Sequence, residues 1–296
     1  MAFVDRAPAK VNLTLAVRRR RADGYHDLES LVVFAAIGDE LRFAPSGVGH
    51  WLDVKGRTAA QAGPVGDNLV LKAAGLLAAR VPGLPGGRFT LIKRLPVAAG
   101  LGGGSSDAAA ALRLLAAAAG LPAGDARLAE AARLTGSDVP VCLAGKPCIM
   151  RGTGAELGPA LTVPRLPALL VNPGIAVATP AVFGRLGLAP GTEREPDPAA
   201  LLEEGGGNRS RDARAALIAL LHTARNDLEA PAMALAPGIG EALGQVEATE
   251  GCRLARMSGS GATVFGLYDT CRAAAAAAKA IKAREPGWWV KPTMLG

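Results

Sequence analysis

A chain of 296 residues, half of them apolar, is long for one hydrophobic core and comfortable for two, since domains usually hold about 100–200 residues. No uncharged apolar run reaches the roughly 18 residues of a membrane span, and the start, MAFVDRAPAK, has no apolar stretch after a basic one. A soluble, cytoplasmic protein is therefore expected. The net charge of +7 suits nucleic acid and a small polyanion equally well, but two Tyr and three Trp are too few for the basic-plus-aromatic interleaving of single-strand binders.

Residues 8–17, PAKVNLTLAV, alternate: Ala9, Val11, Leu13 and Leu15 share one face, and Lys10, Asn12 and Thr14 the other. The pattern predicts a strand with a core side and a polar side. RRRRADG reads as a turn and YHDLESLVVFAAI as a second strand, giving a hairpin. GRFTLIKRL is a further strand. After Asp107, AAAALRLLAAAAG is a helix of strong formers ended by Gly120 and Pro122. DARLAEAARLTG is the next helix, and GSDVPVCLAGKPCIMRG continues as a turn, a short apolar stretch and a strand. The prolines around residues 155–168 mark a domain boundary. ALLVNPGIAVAT then reads as a strand, PDPAALLEEGGGNRSR (196–211) as a long loop, and DARAALIALLHTARNDLEAPAM as helix. GCRLARMSGSGATVFGLY gives two strands meeting in a glycine turn, followed by the helix CRAAAAAAKAIKAR. Strands and helices mix without regular βαβ alternation, which favours an α+β fold. Cys142, Cys148, Cys252 and Cys271 fit no zinc spacing and read as buried reduced thiols.

The stretch PVAAGLGGGSSDAAAAL, residues 96–112, sets four glycines and two serines directly before the alanine helix. Glycines at 100, 102, 103 and 104 let backbone approach a ligand closely and turn its N–H groups inward. Ser105 and Ser106 are N-cap candidates, and the helix N-terminus behind them is an anion site. No lysine follows the glycines as a Walker A loop requires, and serine at 105 breaks a Rossmann fingerprint. By residue type alone, Asp138 in GSDVP is as good a helix cap as a base, Phe183 is as good a core residue as a ligand contact, and Ser258–Gly261 is a hairpin turn.

The run from Pro96 to Ser106 resembles the central motif of the GHMP kinases (galactokinase, homoserine kinase, mevalonate kinase, phosphomevalonate kinase). PAKVNLTL at 8–15, DGYH at 23–26, GSDVP at 136–140 and SGSGATVF at 258–265 fall in the same order and spacing. They narrow the likeness to the branch whose alcohol carries a cytidine diphosphate. Residues 45–67 and 185–215 match least. The resemblance implies two α+β domains: 1–157, like ribosomal protein S5 domain 2 and holding the ATP phosphate loop, and 158–296, ferredoxin-like and completing the substrate cleft. It implies an ATP-dependent kinase that phosphorylates the 2-hydroxyl of a cytidine-diphosphate-linked methylerythritol on the non-mevalonate route to isoprenoids. Its partners are then small molecules, not nucleic acid or membrane.

The same resemblance assigns residues. Pro96, Val97, Ala98, Ala99, Gly100, Leu101, Gly102, Gly103, Gly104, Ser105 and Ser106 bind ATP. Asp138 accepts the hydroxyl proton, and Lys10 pairs with it and stabilises the developing alkoxide. Asn12, two residues on and roughly 6–7 Å away, contacts substrate, as does Thr179. Tyr25 and His26 bind cytosine, the tyrosine by stacking, and Phe183 supplies the opposite ring. Mg²⁺ is expected to bridge nucleotide phosphates, with no carboxylate cluster naming its protein ligands. Two rivals remain: another small-molecule kinase of homoserine or mevalonate type, which has no reason to keep DGYH and Phe183, and a nonenzymatic basic RNA-binding protein, which has no reason to keep Lys10 with Asp138.

Overall fold

The computed structural model describes residues 2–204 and 211–296, and part of the loop expected at 196–211 lies outside the described residues. In chain order the strands are β1 (Phe3–Asn12), β2 (Ala16–Arg20), β3 (His26–Pro45), β4 (His50–Gly56), β5 (Gly87–Lys93), β6 (Cys148–Gly152), β7 (Glu156–Leu157), β8 (Leu166–Asn172), β9 (Cys252–Met257), β10 (Val264–Tyr268) and β11 (Trp289–Leu295). The helices are α1 (Leu69–Ala78), α2 (Gly103–Ala119), α3 (Ala126–Thr135), α4 (Val139–Ala144), α5 (Thr179–Arg185), α6 (Arg211–Thr223), α7 (Glu229–Leu235), α8 (Gly238–Glu247) and α9 (Cys271–Arg284). Two compact units form, neither from one continuous stretch. One comprises residues 1–10, 37–97 and 102–145; the other comprises 11–36, 98–101 and 146–296. Strand β3 gives residues 37–45 to the first and 26–36 to the second.

In the first unit β5 pairs antiparallel with the end of β3 and parallel with β4. The parallel pair is joined through α1, so the unit holds one βαβ crossover, which the irregular element order had not suggested. Phe43 and Phe89 face each other across the β3–β5 pair, ring centroids 4.6 Å apart. Helices α1 to α4 pack together around α2. Its residues Ala108 to Leu112 are fully buried, the mark of a helix surrounded on most faces, and alanine lets its neighbours approach closely. The α2 C-terminus follows expectation: Gly120 takes a left-handed φ of 67° and its N–H returns to Ala116 and Ala117 carbonyls.

In the second unit β8, all seven residues buried, runs between β11 and β10, with β9 beyond, all antiparallel. Val171, Val264 and Met257 of this sheet share one core with Ile239 and Val246 of α8 and Ala274 and Ile281 of α9. Several local expectations change. The strand expected over 8–17 is broken at Leu13–Leu15, where Leu13 N–H reaches the Leu31 carbonyl and Leu15 N–H the Arg225 carbonyl. The arginines extend β2 to Arg20, so the turn is confined to residues 21–25, closed by Arg21 N–H to the Tyr25 carbonyl with Gly24 at φ 86°. The short apolar stretch after GSD is the helix α4, and the long helix expected over 212–233 is two, α6 and α7. Cys142 and Cys148 are buried free thiols as expected, whereas Cys271 is exposed at the start of α9.

Candidate active site

The polar face at the end of β1 does not meet solvent. Lys10 is 4 % exposed, and its Nζ lies 2.8 Å from Asp138 Oδ2. Asp138 stands at the N-cap position of α4, yet its side chain accepts no capping hydrogen bond. Its carboxylate is turned to Lys10 instead, with a third of its surface open. Of the two readings open for Asp138, helix cap or base, its side chain does not act as the cap. Asn12 is also buried, its amide donating to Ser30 Oγ at 2.7 Å while Oδ1 has no protein partner.

The glycine loop divides the work among its residues. Left-handed φ occurs at Ala98 (50°), Gly100 (72°) and Gly102 (59°), while Gly103 and Gly104 are ordinary helical residues opening α2. Gly102, not Ser105 or Ser106, is the N-cap, so the two serines sit in the first turn. The N–H groups of Gly103, Gly104 and Ser105 have no intrahelical carbonyl to reach and leave a positive helix end. Ser106 Oγ is spent on the Pro8 carbonyl at 2.6 Å. A Cβ at Gly102 would come 3.1 Å from both Cβ and Cε of Lys10, so the cap of α2 touches the lysine directly.

Within the second unit, residues 98–101 rest on the turn of SGSGAT. Ser258 Oγ donates to the Gly100 carbonyl at 2.9 Å and Thr263 N–H to the Ala99 carbonyl at 3.1 Å. A Cβ at Gly100 would lie 2.4 Å from the Ser258 carbonyl oxygen, so only glycine fits there.

The same unit holds a cavity of about 320 Å³ lined by Arg20, Tyr25, His26, Thr179, Phe183 and Leu188 among others. Phe183 is half-buried at the edge of the core, its ring stacked on His26 with centroids 5.0 Å apart and planes 24° askew. Tyr25 is 67 % exposed. Burial, then the Arg20 charge, lowers the His26 pKa and favours the neutral imidazole. Thr179 Oγ1 shares a hydrogen bond with Ser260 Oγ at 2.7 Å. Four of the five expected substrate contacts therefore line one cavity, and Asn12 does not.

Sequence reasoning passed over a second ionic cluster. Lys93 Nζ lies 2.8 Å from Asp107 Oδ2 and 2.5 Å from Asp39 Oδ2, all three buried. It sits beneath the opening of α2, 3.6 Å from where a Cβ of Gly103 would be. Burial pushes the Asp107 carboxyl up to about 7, with the Lys93 charge opposing and the Asp39 charge adding to the rise. Burial alone would lower the Lys93 pKa, but the charges of Asp107 and Asp39 leave it raised. The signal was available: Lys93 follows Phe89 and Leu91 in period two, on the core face of β5.

Residues 68–146 match the GHMP kinase N-terminal domain and residues 200–286 the GHMP kinase C-terminal domain. Two relatives, each named 4-diphosphocytidyl-2-C-methyl-D-erythritol kinase, are similar over their whole length. The one from Methylobacterium radiotolerans is 57 % identical over 99 % of both chains, and the one from Xanthobacter autotrophicus 58 % identical over 98 % of both. A crystal structure of 4-(cytidine 5'-diphospho)-2C-methyl-D-erythritol kinase superposes with a TM-score of 0.77 at 35 % identity, covering 99 % of both chains. Homoserine kinase from Cytophaga hutchinsonii shares the fold, with a TM-score of 0.71 at 19 % identity over 100 % of this chain and 94 % of that one. The chain belongs to the GHMP kinases, which take their phosphoryl group from ATP, and within them to the 4-diphosphocytidyl-2-C-methyl-D-erythritol kinase family.

Proposed function

We propose that this kinase transfers the γ-phosphoryl group of ATP to the 2-hydroxyl of 4-diphosphocytidyl-2-C-methyl-D-erythritol. Phosphoryl transfer needs cradled phosphates, neutralised charge and a positioned nucleophile. In the proposal, the free N–H groups opening α2, with the loop Pro96–Ser106, receive the ATP phosphates. Asp138 takes the hydroxyl proton on its partly exposed carboxylate beside Lys10, and the Lys10 ammonium stabilises the alkoxide as it forms. The observation that carries this chemistry is the Lys10–Asp138 contact at 2.8 Å, made by a carboxylate that forgoes its capping role.

The cytosine reading rests on the cavity lined by Tyr25, His26 and Phe183. The exposed Tyr25 ring offers a stacking face, Phe183 and His26 a second aromatic wall, and the neutral imidazole an edge that can donate at one nitrogen and accept at the other. Thr179 and Asn12 are included as substrate contacts, the latter with an uncommitted Oδ1. The division of these roles between residues 1–157 and 158–296 belongs to the same proposal. Among the described residues no three acidic, histidine or cysteine side chains converge on a metal-sized site. Mg²⁺ is proposed as a companion of the nucleotide phosphates.

Coupled ADP release, measured with the cytidyl alcohol, mevalonate and homoserine in parallel, tests the substrate. Turnover with the cytidyl alcohol alone is expected; preferred turnover of either of the others would contradict the assignment.

A further inference from the structure

Arg113 lies two turns along α2 from Ser106, on the same face of the helix. Its guanidinium makes three contacts: Nε to Asp5 Oδ2 at 2.7 Å, NH2 to the Arg6 carbonyl at 3.1 Å and NH1 to the Cys142 carbonyl at 2.9 Å. Asp5 and Arg6 belong to β1, the strand that carries Lys10. Cys142 belongs to α4, whose N-cap is Asp138, and the Cys142 N–H donates to the Asp138 carbonyl at 3.2 Å. Ser106 repeats the arrangement one layer closer to the site. Its Oγ donates to the Pro8 carbonyl at 2.6 Å and lies 3.3 Å from Cys142 Sγ. One face of α2 thus grips the backbone on both sides of the Lys10–Asp138 contact.

A planar, five-donor guanidinium suits this task, because a rigid fork holds two carbonyls and a carboxylate in fixed relative positions. Arg6 precedes Lys10 by four residues, about 13 Å along a strand, so Arg113 acts on backbone and touches neither reacting side chain. We infer that Arg113 is a positioning residue of the transfer step, fixing β1 and α4 in the register at which Lys10 Nζ meets Asp138 Oδ2. The inference rests on the reading of Lys10 and Asp138 as the catalytic pair.

The test is a double-mutant cycle on the full chain with Arg113→Met, Arg113→Lys and Lys10→Ala, following kcat, both KM values and the thermal midpoint. Misplacement near 1 Å can cost about a hundredfold in rate, so Arg113→Met is expected to lower kcat at least about tenfold. Both KM values should stay within about twofold. Arg113→Lys, which keeps a cation beside Asp5, should lose less. In the Lys10→Ala background Arg113→Met should cost little more, because the contact it sets is already gone. An unchanged kcat in folded Arg113→Met, or an equal loss in both backgrounds, would overturn the inference and leave Arg113 a brace of the fold. If Arg113→Met does not accumulate folded, Arg113→Lys is judged by the same two criteria. An intact kcat in Lys10→Ala alone would instead overturn the catalytic reading beneath, and this inference with it.

Discussion

Gly102→Ala and Gly104→Ala, two residues apart at the opening of α2, should fail in different ways. Gly102 holds φ at 59°, where an L-residue with a Cβ loses roughly 1–2 kcal/mol. The new methyl would also sit 3.1 Å from Cβ and Cε of Lys10, so the lysine must yield by a few tenths of an ångström. A midpoint lowered by about 2–8 °C follows from the strain, and kcat should fall because the displaced ammonium no longer meets Asp138 at 2.8 Å. Gly104 is helical, and its Cβ would meet only Leu69 Cδ1, at an ordinary 3.6 Å. Alanine is favoured there by about 1 kcal/mol, so the midpoint should hold or rise. The methyl nevertheless crowds the free N–H groups of the helix end, and KM for ATP should rise several-fold. Thermal melts and steady-state kinetics with varied ATP read both variants. A Gly102→Ala enzyme as stable and active as the parent would refute the strain argument. A Gly104→Ala enzyme with unchanged KM for ATP would refute the phosphate site at the opening of α2.

Replacing Tyr25 or Phe183 by Ala should raise KM for the cytidyl alcohol about tenfold, from a stacking face worth about 1–3 kcal/mol, with KM for ATP hardly moved; a loss of stability alone would return Phe183 to a purely structural role. Asp107 titrates near pH 7 in the folded chain, well above its unfolded value, so the folded state binds the extra proton between those limits. Its contribution to stability is full below about pH 4 and is lost as pH rises through about 7, a change on the order of 4 kcal/mol. Urea unfolding of Asp107→Asn across this range should show a flatter profile than the parent, and identical profiles would contradict the assignment.

Three helices were legible in the sequence, whereas α1, α5 and α8 drew no expectation. Gly120 ends α2 as expected, and the runs DARLAEAARLTG and CRAAAAAAKAIKAR match α3 and α9 almost to the residue, because these signals are local. The start of α2 was less so: serines invite a capping assignment, but the left-handed Gly102 reaches the N-cap first and frees Ser106 to tie down β1. Lys10, Asn12 and Thr14 alternate like an exposed face and are buried, since their coverings come from distant segments. Asp138 lies 2.8 Å from Lys10 although 128 positions separate them in the chain, and the Asn12 N–H reaches Ser258 Oγ. Ring partners were likewise hidden. Periodicity does not separate Phe183 as a core residue from Phe183 as a ligand contact, and it gives no hint that its neighbour is His26.

The central claim is that Lys10 and Asp138 drive transfer of phosphate to the 2-hydroxyl, and phosphorus NMR of the reaction mixture tests it most directly. With ATP and 4-diphosphocytidyl-2-C-methyl-D-erythritol, the parent enzyme should build up one new phosphomonoester resonance, coupled to the carbon bearing the former 2-hydroxyl. Asp138→Asn, folded and binding both substrates, should form it about 10²–10⁴ times more slowly. A phosphomonoester at another position, or an Asp138→Asn enzyme that makes the same product at the parent's rate, would contradict the account.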